Sequence, residues 1–504
     1  MTIRFVPNDP RATKFNDPTS MRARRNRKKT VANFVFGTMP KQAEYPEGSV
    51  KALAWQSREA ALAAVEMFEG LHGPVKQWAR SPNRKRLAFA IDAGEDVNAY
   101  YDGDGVLFFH QAIGNSVLYT GASTDIVSHE VGHALLDTIR PELWDANFLE
   151  AAAFHEAFGD CVAMLTALAD SSMRKALARK ATLGKKNFVE TFGEELAWMA
   201  LKMFGAQENS AKPRQALNKY DWALPSTLPG NGPGGVLINE PHSFGQVFTG
   251  CFYDLIRLIF ARAKSETEAS LWNATSAAAQ LLFGAAKTAP LTPRFFQAIG
   301  RTMVLQDGAN GGALRDTINK AFGNHGIALG AAALGAPRAT LAGAKFKRLT
   351  ANAATLSPAT AQDLRRRLGA AKGGVLHTRA VKLGDRHMAE VSHVRHVDLS
   401  GLASYLKGVS AAGAEPVLVG AVRGTMAVMS SLPDSASTEE EVRTFVSGLV
   451  EHDAILPAAR AVRARGARAA TSKEASRATH RVVARGGTKV LERRGFSCGC
   501  GCHG

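Results

Sequence analysis

Residues 123–137 read STDIVSHEVGHALLD. An α-helix turns once in 3.6 residues, so His129 and His133, four apart, share a face. Two imidazoles at that spacing can grip a single Zn²⁺. Glu130 stands at the edge of the same face, where it can take a proton from a water held there. The flanks agree with a helix. Ser123, Thr124 and Asp125 offer capping oxygens, and Ile126, Val131, Ala134 and Leu135 recur at helical spacing on a buried side. Two histidines four apart also occur on ordinary helices, so the pattern needs a second piece.

Residues 147–170, NFLEAAAFHEAFGDCVAMLTALAD, supply it as a long apolar helix. Glu156 and Asp160 are again four apart. A catalytic zinc takes three protein ligands and keeps one position open. Glu156 offers the third ligand, and Asp160, one turn on, can accept the free N–H of a ligating histidine and fix its tautomer. A merely solvated acidic face fits poorly, because the residues around the pair are apolar.

Together SHEVGHALLD and HEAFGD resemble the thermolysin-like zinc metallopeptidases, the group whose third ligand is a glutamate. The resemblance spans about residues 50 to 335. It implies an α+β thermolysin-like core, one zinc per chain and hydrolysis of peptide bonds in a peptide or protein substrate. In that family the edge strand before the zinc helix holds the substrate backbone, and Asn98 and Ala99 of VNAYY stand where its substrate-pairing Asn-Ala lies. A histidine at the head of a later helix stabilises the oxyanion. GGVLIN has Leu237 at that histidine's usual place, so the role passes to His242, five residues on in HSFGQVF, with a helix-capping histidine as the alternative. Arg214 of PRQALNKY resembles an arginine that holds the substrate carbonyl, with a surface arginine as the alternative. His155 replaces an asparagine beside the ligand Glu156. It points 100° away around the helix, which makes it a neighbour of the metal ligands and not one of them. The family's tyrosine is missing between His133 and Glu156, leaving Tyr100 or Tyr101 to lend a hydroxyl. Asp125 resembles a calcium ligand, but Ala167 stands where its partner carboxylate is expected, so calcium is not expected.

Outward from these helices the 504 residues divide by composition. Residues 1–49 form a basic arm and lead-in. Residues 50–145 hold a helix over 57–73 with Ser57 as its N-cap, then RLAFAIDAG, DVNAYYDGD and GVLFFHQA as a small antiparallel sheet, then the zinc helix. Residues 146–335 are mainly helical, with FVETFGEELAWMALKMFG, FGQVFTGCFYDLIRLIFARAK, SLWNATSAAAQLLFGAAK and PRFFQAIGRTMVLQ as candidates. Residues 336–372 are a basic linker. Residues 373–496 alternate like strands around one helix, TEEEVRTFVSGLVEHDAI, with hairpins turning at Arg423-Gly424 and Gly486-Gly487. This reads as an α+β accessory domain. Residues 497–504 are a Cys/Gly tail.

Charge and cysteines bound the rest. Residues 1–30 carry nine Lys/Arg against two Asp/Glu, and residues 456–504 eleven against two, so the ends hold sixteen of the seventeen net positive charges. The body is nearly neutral, and the basicity says little about substrate. The tract from Arg22 to Lys29 has the charge to touch nucleic acid or an anionic membrane. The plainer reading is a solvated, disordered arm. If catalysis were absent, the alternative function is a binding or assembly protein held to nucleic acid or membrane by these ends. Glu130 argues against that, since a binding module needs no base beside its metal. No apolar run reads as a membrane span and no signal-peptide pattern is seen, so a reducing cytoplasm is the default expectation, with signal-less export left open. Cys161 and Cys251 read as buried thiols. Cys498, Cys500 and Cys502 with His503 read either as a soft-metal cluster or as a flexible tail.

Overall fold

The computed structural model describes residues 2–15, 20–27, 31–330, 339–340, 349–350, 353–354, 356–383, 386–422, 425–430, 433–457 and 478–498. Within them the N-terminal segment is tied down, where a disordered arm was expected. β1 (Thr2–Phe5) pairs antiparallel with β2 (Ser20–Ala23), burying Ile3 and Phe5. Arg22 meets Asp170 at 2.8 Å, Arg25 reaches Glu66 at 3.2 Å, and Arg27 forks onto Glu69 at 2.8 and 2.9 Å. Glu66 and Glu69 on the following helix, with Asp170 at the end of a later one, neutralise a tract that would otherwise repel itself. Lys28 and Lys29 lie outside the described residues.

That helix, α1 (Val50–His72), starts seven residues before the expected cap. Ser49 caps it, accepting from the Ala52 N–H at 3.2 Å, because Leu53, Ala54 and Trp55 extend the buried apolar stripe upstream. Ser57 is buried mid-helix and donates to the Gly121 carbonyl at 2.6 Å.

The first sheet contains β3 (Asn33–Val35), β4 (Arg86–Ala90), β5 (Ala99–Tyr101) and β6 (Gly105–Phe108) in the order β3-β4-β6-β5. It is mixed and not antiparallel throughout: β3–β4 and β4–β6 are parallel, and only β5–β6 is a hairpin. The tight turn at Asp102, whose carboxylate accepts from the Gly105 N–H at 2.8 Å, folds β6 back into the gap between β4 and β5. A separate hairpin, β7 (His110–Ile113) and β8 (Ser116–Tyr119), leads into α2 (Thr124–Ile139).

The helical lobe follows: α3 (Leu149–Ala169), α4 (Ser171–Leu177), α5 (Lys180–Leu183), α6 (Glu194–Phe204), α7 (Pro241–Ala261), α8 (Glu268–Thr288), α9 (Phe295–Ala309) and α10 (Arg315–Gly323). α6 is shorter than its sequence pattern. Gly193 at φ +67 breaks it, and β9 (Thr191–Phe192) pairs instead with β10 (Arg214–Gln215). Among the described helices α7 alone is long and apolar enough to cross a membrane, and most of it is buried against protein.

Beyond come β11 (Ala339–Thr340), β12 (Leu349–Thr350), β13 (Ala353–Ala354), α11 (Pro358–Arg367), β14 (His377–Leu383), β15 (Arg386–Asp398), β16 (Val409–Val422), β17 (Thr425–Val428), α12 (Ser435–Glu451), β18 (Ile455–Leu456), β19 (His480–Arg485) and β20 (Thr488–Arg493). All these strands except β12 and β13 form an eight-stranded sheet built on the long β15–β16 ladder. The turn at Arg423-Gly424 lies outside the described residues; the Gly486-Gly487 turn closes β19 on β20 with both glycines at positive φ. This region is α+β as its pattern suggests, but it does not stand apart. Val397, Val409, Val442, Phe445 and Leu449 join the same buried cluster as α2, α3 and α7. Polar contacts bind it on: Asn147 Nδ2 donates to the Ala412 carbonyl at 2.9 Å, Asn239 Nδ2 to the Thr444 carbonyl at 3.0 Å, and Arg493 Nε to the Trp144 carbonyl at 2.9 Å. The last strand, β21 (Phe496–Ser497), leaves this sheet altogether and pairs antiparallel with β5 as the edge strand of the first one.

Candidate metal centre

Ser123 caps α2 and Phe148 opens α3, and the two helices cross at glycines. A Cβ on Gly132 would stand 2.9 Å from the Gly159 Cα, and one on Gly159 would stand 2.7 Å from His129 Nδ1. Only glycine at both places lets the backbones approach and leaves room for the imidazole. The crossing sets His129 Nε2 at 3.1 Å and His133 Nε2 at 3.5 Å from Glu156 Oε2. One nitrogen from each histidine and a carboxylate oxygen lie within 4.8 Å of one another, all buried.

The surrounding groups orient this triad. His129 Nδ1 lies 2.8 Å from Asp160 Oδ1. Asp160 in turn accepts from Arg214 Nη2 at 2.7 Å and from Arg214 Nε at 2.9 Å. Arg214 is therefore engaged behind the histidine, where the sequence suggested a contact with the substrate carbonyl. Burial alone would raise the Asp160 carboxyl, but Arg214 and His129 outweigh it and bring it down to about 2. His155 Nδ1 lies 2.9 Å from His133 Nδ1, so it borders the ligand set, as its helical phase required. Burial and the neighbouring His133 hold its pKa well below the ordinary histidine value, keeping it neutral.

His242, at the head of α7, comes into the same space. Its Nε2 is 2.9 Å from Glu156 Oε2 and its Nδ1 is 2.7 Å from Glu240 Oε1. Glu240 also caps α7, accepting from the Ser243 N–H at 2.8 Å. Burial opposes a charge on His242, yet Glu156 and Glu240 overcome it and raise its pKa well above the ordinary value. Glu156 is held well below the usual carboxylate range, because His242 and His133 outweigh its burial.

Glu130 is fully buried with neither carboxylate oxygen in a hydrogen bond, and His133 Nε2 has only its 3.5 Å approach to Glu156. Burial, and then the charge of a neighbouring sulfur, push the Glu130 carboxyl well up. Orphaned acceptors of this kind cost on the order of 1–3 kcal/mol each when nothing meets them. Two imidazoles, a carboxylate and unfilled nitrogen and oxygen atoms fit a divalent ion of zinc's preferences.

No protein-family model matches this chain, and no curated protein is similar to it. The reading of the site therefore rests on its own chemistry.

The remaining sequence candidates fall in several places. Asn98 and Ala99 lie at the edge strand beside α2, and β21 already pairs with that edge. The Tyr101 hydroxyl donates to Asp137 Oδ2 at 2.9 Å, and the Tyr100 ring packs against Phe109. Asp125 has carboxylate neighbours after all, supplied by Asp9 and Glu194 and not from position 167, with oxygens within 4.8 Å of one another. Burial and the charge of Asp125 push the Asp9 carboxyl well up, which favours a proton shared within that group. Cys161 and Cys251 are buried free thiols, as their apolar settings suggested. Cys500, Cys502 and His503 lie outside the described residues.

Sequence reasoning missed four contributors. Gly159 was legible in principle, as a glycine three residues after Glu156 on the ligand face. Glu240, Phe496 and Cys498 were not, since each depends on a distant segment. Cys498 is buried, and its sulfur lies with one nitrogen each of His129 and His242 inside 4.8 Å. Burial opposes a thiolate there, but His129 and His242 bring the thiol well below its ordinary value.

Proposed function

We propose that this chain is a zinc-dependent endopeptidase with a thermolysin-like core. The observation that carries the reading is Glu130, a fully buried carboxylate set beside the His129–His133–Glu156 triad. Zinc bound by those three residues supplies Lewis acidity to the scissile carbonyl and acidifies a water at neutral pH.

The chain's own groups do the rest. Once β21 leaves its edge, β5 takes the substrate backbone as an added antiparallel strand, through main-chain hydrogen bonds that are indifferent to side chains. Glu130 takes a proton from the attacking water and passes it to the leaving amine. His242, held protonated by Glu156 and Glu240, donates from Nε2 to the developing oxyanion. Asp160 holds the His129 tautomer through Nδ1, and Arg214 holds Asp160.

The test is metal analysis followed by a peptide-library digest with and without a zinc chelator. It is run on the chain, on Glu130→Gln, and on both in a Cys498→Ala background for the reason given below. One zinc per chain is expected, with cleavage that the chelator stops and that Glu130→Gln abolishes while retaining its zinc. A chain that holds no zinc, or that cleaves in neither background, overturns the reading.

A further inference from the structure

The segment after β20 is built into the site. Gly495 passes so near the first sheet that a Cβ there would stand 2.6 Å from the Tyr101 carbonyl oxygen. Phe496 pairs with Tyr101, and its ring stacks on His155 with centroids 3.7 Å apart and on His133 at 4.8 Å. The Arg493 guanidinium covers that ring at 4.4 Å. Ser497 Oγ donates to Asn98 Oδ1 at 2.9 Å, and the Cys498 N–H donates to the Ala99 carbonyl at 2.8 Å. Thus Asn98 and Ala99, the residues expected to receive a substrate backbone, receive the chain's own. The register delivers the Cys498 sulfur, only 4% exposed as a residue, among His129 and His242. Both oxygens of Glu130 are buried in that same space, beside the Cys498 sulfur.

We propose that Cys498 is a further ligand of the metal centre, and that segment 495–498 occupies the substrate's place on β5, holding the peptidase latent. This rests on the metal site and peptidase reading above. A thiolate is a strong ligand for zinc, and binding releases its proton to solvent. A catalytic zinc needs one open position for water, and a fourth protein ligand closes it. The two-residue strand adds few main-chain bonds of its own, so the block works through tethering. An intramolecular segment competes at an effective concentration on the order of mM. A peptide that outcompetes the segment for β5, or removal of the segment, opens the site.

The experiment loads the full chain with Co²⁺ in place of zinc and records its absorption spectrum. The expected result is a sulfur-to-cobalt charge-transfer band in the near ultraviolet that is present in the parent, lost in Cys498→Ala, and kept in Cys500→Ala and Cys502→Ala. Zinc-loaded Cys498→Ala is also expected to cleave peptides about tenfold or more faster than the parent, at substrate concentrations well below the ~mM effective concentration of the tethered segment. The parent spectrum needs no variant, so a misfolded Cys498→Ala does not blunt the test. Cobalt bound without the sulfur band overturns the proposal and leaves the peptidase reading standing. A chain that binds no cobalt overturns both.

Discussion

Gly132 of α2 and Gly159 of α3 meet at the helix crossing, and the space a Cβ on Gly159 would take is already held by the His129 ring, 2.7 Å from it at Nδ1. In an open helix, alanine in place of glycine gains about 1 kcal/mol. Here the added methyl must displace either the imidazole or a backbone, and overpacking of that kind costs about 1–3 kcal/mol. Gly159→Ala is therefore expected to lower stability and to loosen zinc, measured by denaturant midpoint and by chelator competition. Gly70, exposed on α1 with nothing within 4 Å of a Cβ, provides the contrast. Gly70→Ala is expected to stabilise the chain by up to about 1 kcal/mol. Equal effects at the two sites would refute the crossing argument.

Asp160 is the joint between Arg214 and His129. Asp160→Asn keeps the shape and removes the charge that fixes the imidazole. The expected loss is about 10–100-fold in zinc affinity, with the helices intact by circular dichroism. Unchanged affinity would mean that Asp160 serves only to neutralise Arg214.

Glu150, in the first turn of α3, gives a pH signature away from the metal. Burial pushes its carboxyl from 4.5 up to about 7, against the pull of Arg294, the Phe296 N–H and the Trp222 indole N–H. The folded chain thus keeps a proton that the unfolded chain releases. Its contribution to stability is full below about pH 4.5 and is lost as pH rises through about 7. The loss is on the order of 3 kcal/mol. Denaturant midpoints at pH 5 and pH 8 are expected to differ less in Glu150→Gln than in the parent. A difference of the same size in both chains would remove Glu150 as the cause.

These sites show what the sequence carried and what it did not. The helical phase of His129, Glu130, His133, Glu156 and Asp160 is local, and 3.6 residues per turn is enough to place all five. α1 was legible as a helix, but its start was not. Ser57 looks like a cap only when Leu53 through Trp55 are left out of the apolar stripe. The mixed sheet was hidden because β6 slots between β4 and β5, and alternation along a strand says nothing of its neighbours. Arg214 and Asp160 are 54 residues apart, and β21 and β5 about 400. β21 has only two residues, too few to show a period, so Cys498 read as part of a terminal soft-metal cluster or a flexible tail, and not as a neighbour of His129 and His242.

His242 separates transition-state help from simple packing. Its ring is oriented by Glu240 at 2.7 Å, and its other nitrogen faces Glu156 at 2.9 Å. A group that merely fills space there would alter substrate binding and turnover together. A donor that meets only the developing oxyanion acts on the chemical step. His242→Ala in the Cys498→Ala background is therefore expected to keep one zinc per chain, leave KM nearly unchanged, and lower kcat by about 10²–10³. Glu240→Gln, which removes one of the two charges that hold the imidazole protonated, is expected to weaken kcat in the same direction but less. It should also move the alkaline limb of the pH–rate profile to lower pH, because the raised His242 pKa depends partly on Glu240. Parent-like kcat in His242→Ala would assign the oxyanion to another donor, and Tyr100 would be the next to replace, since Tyr101 is committed to Asp137.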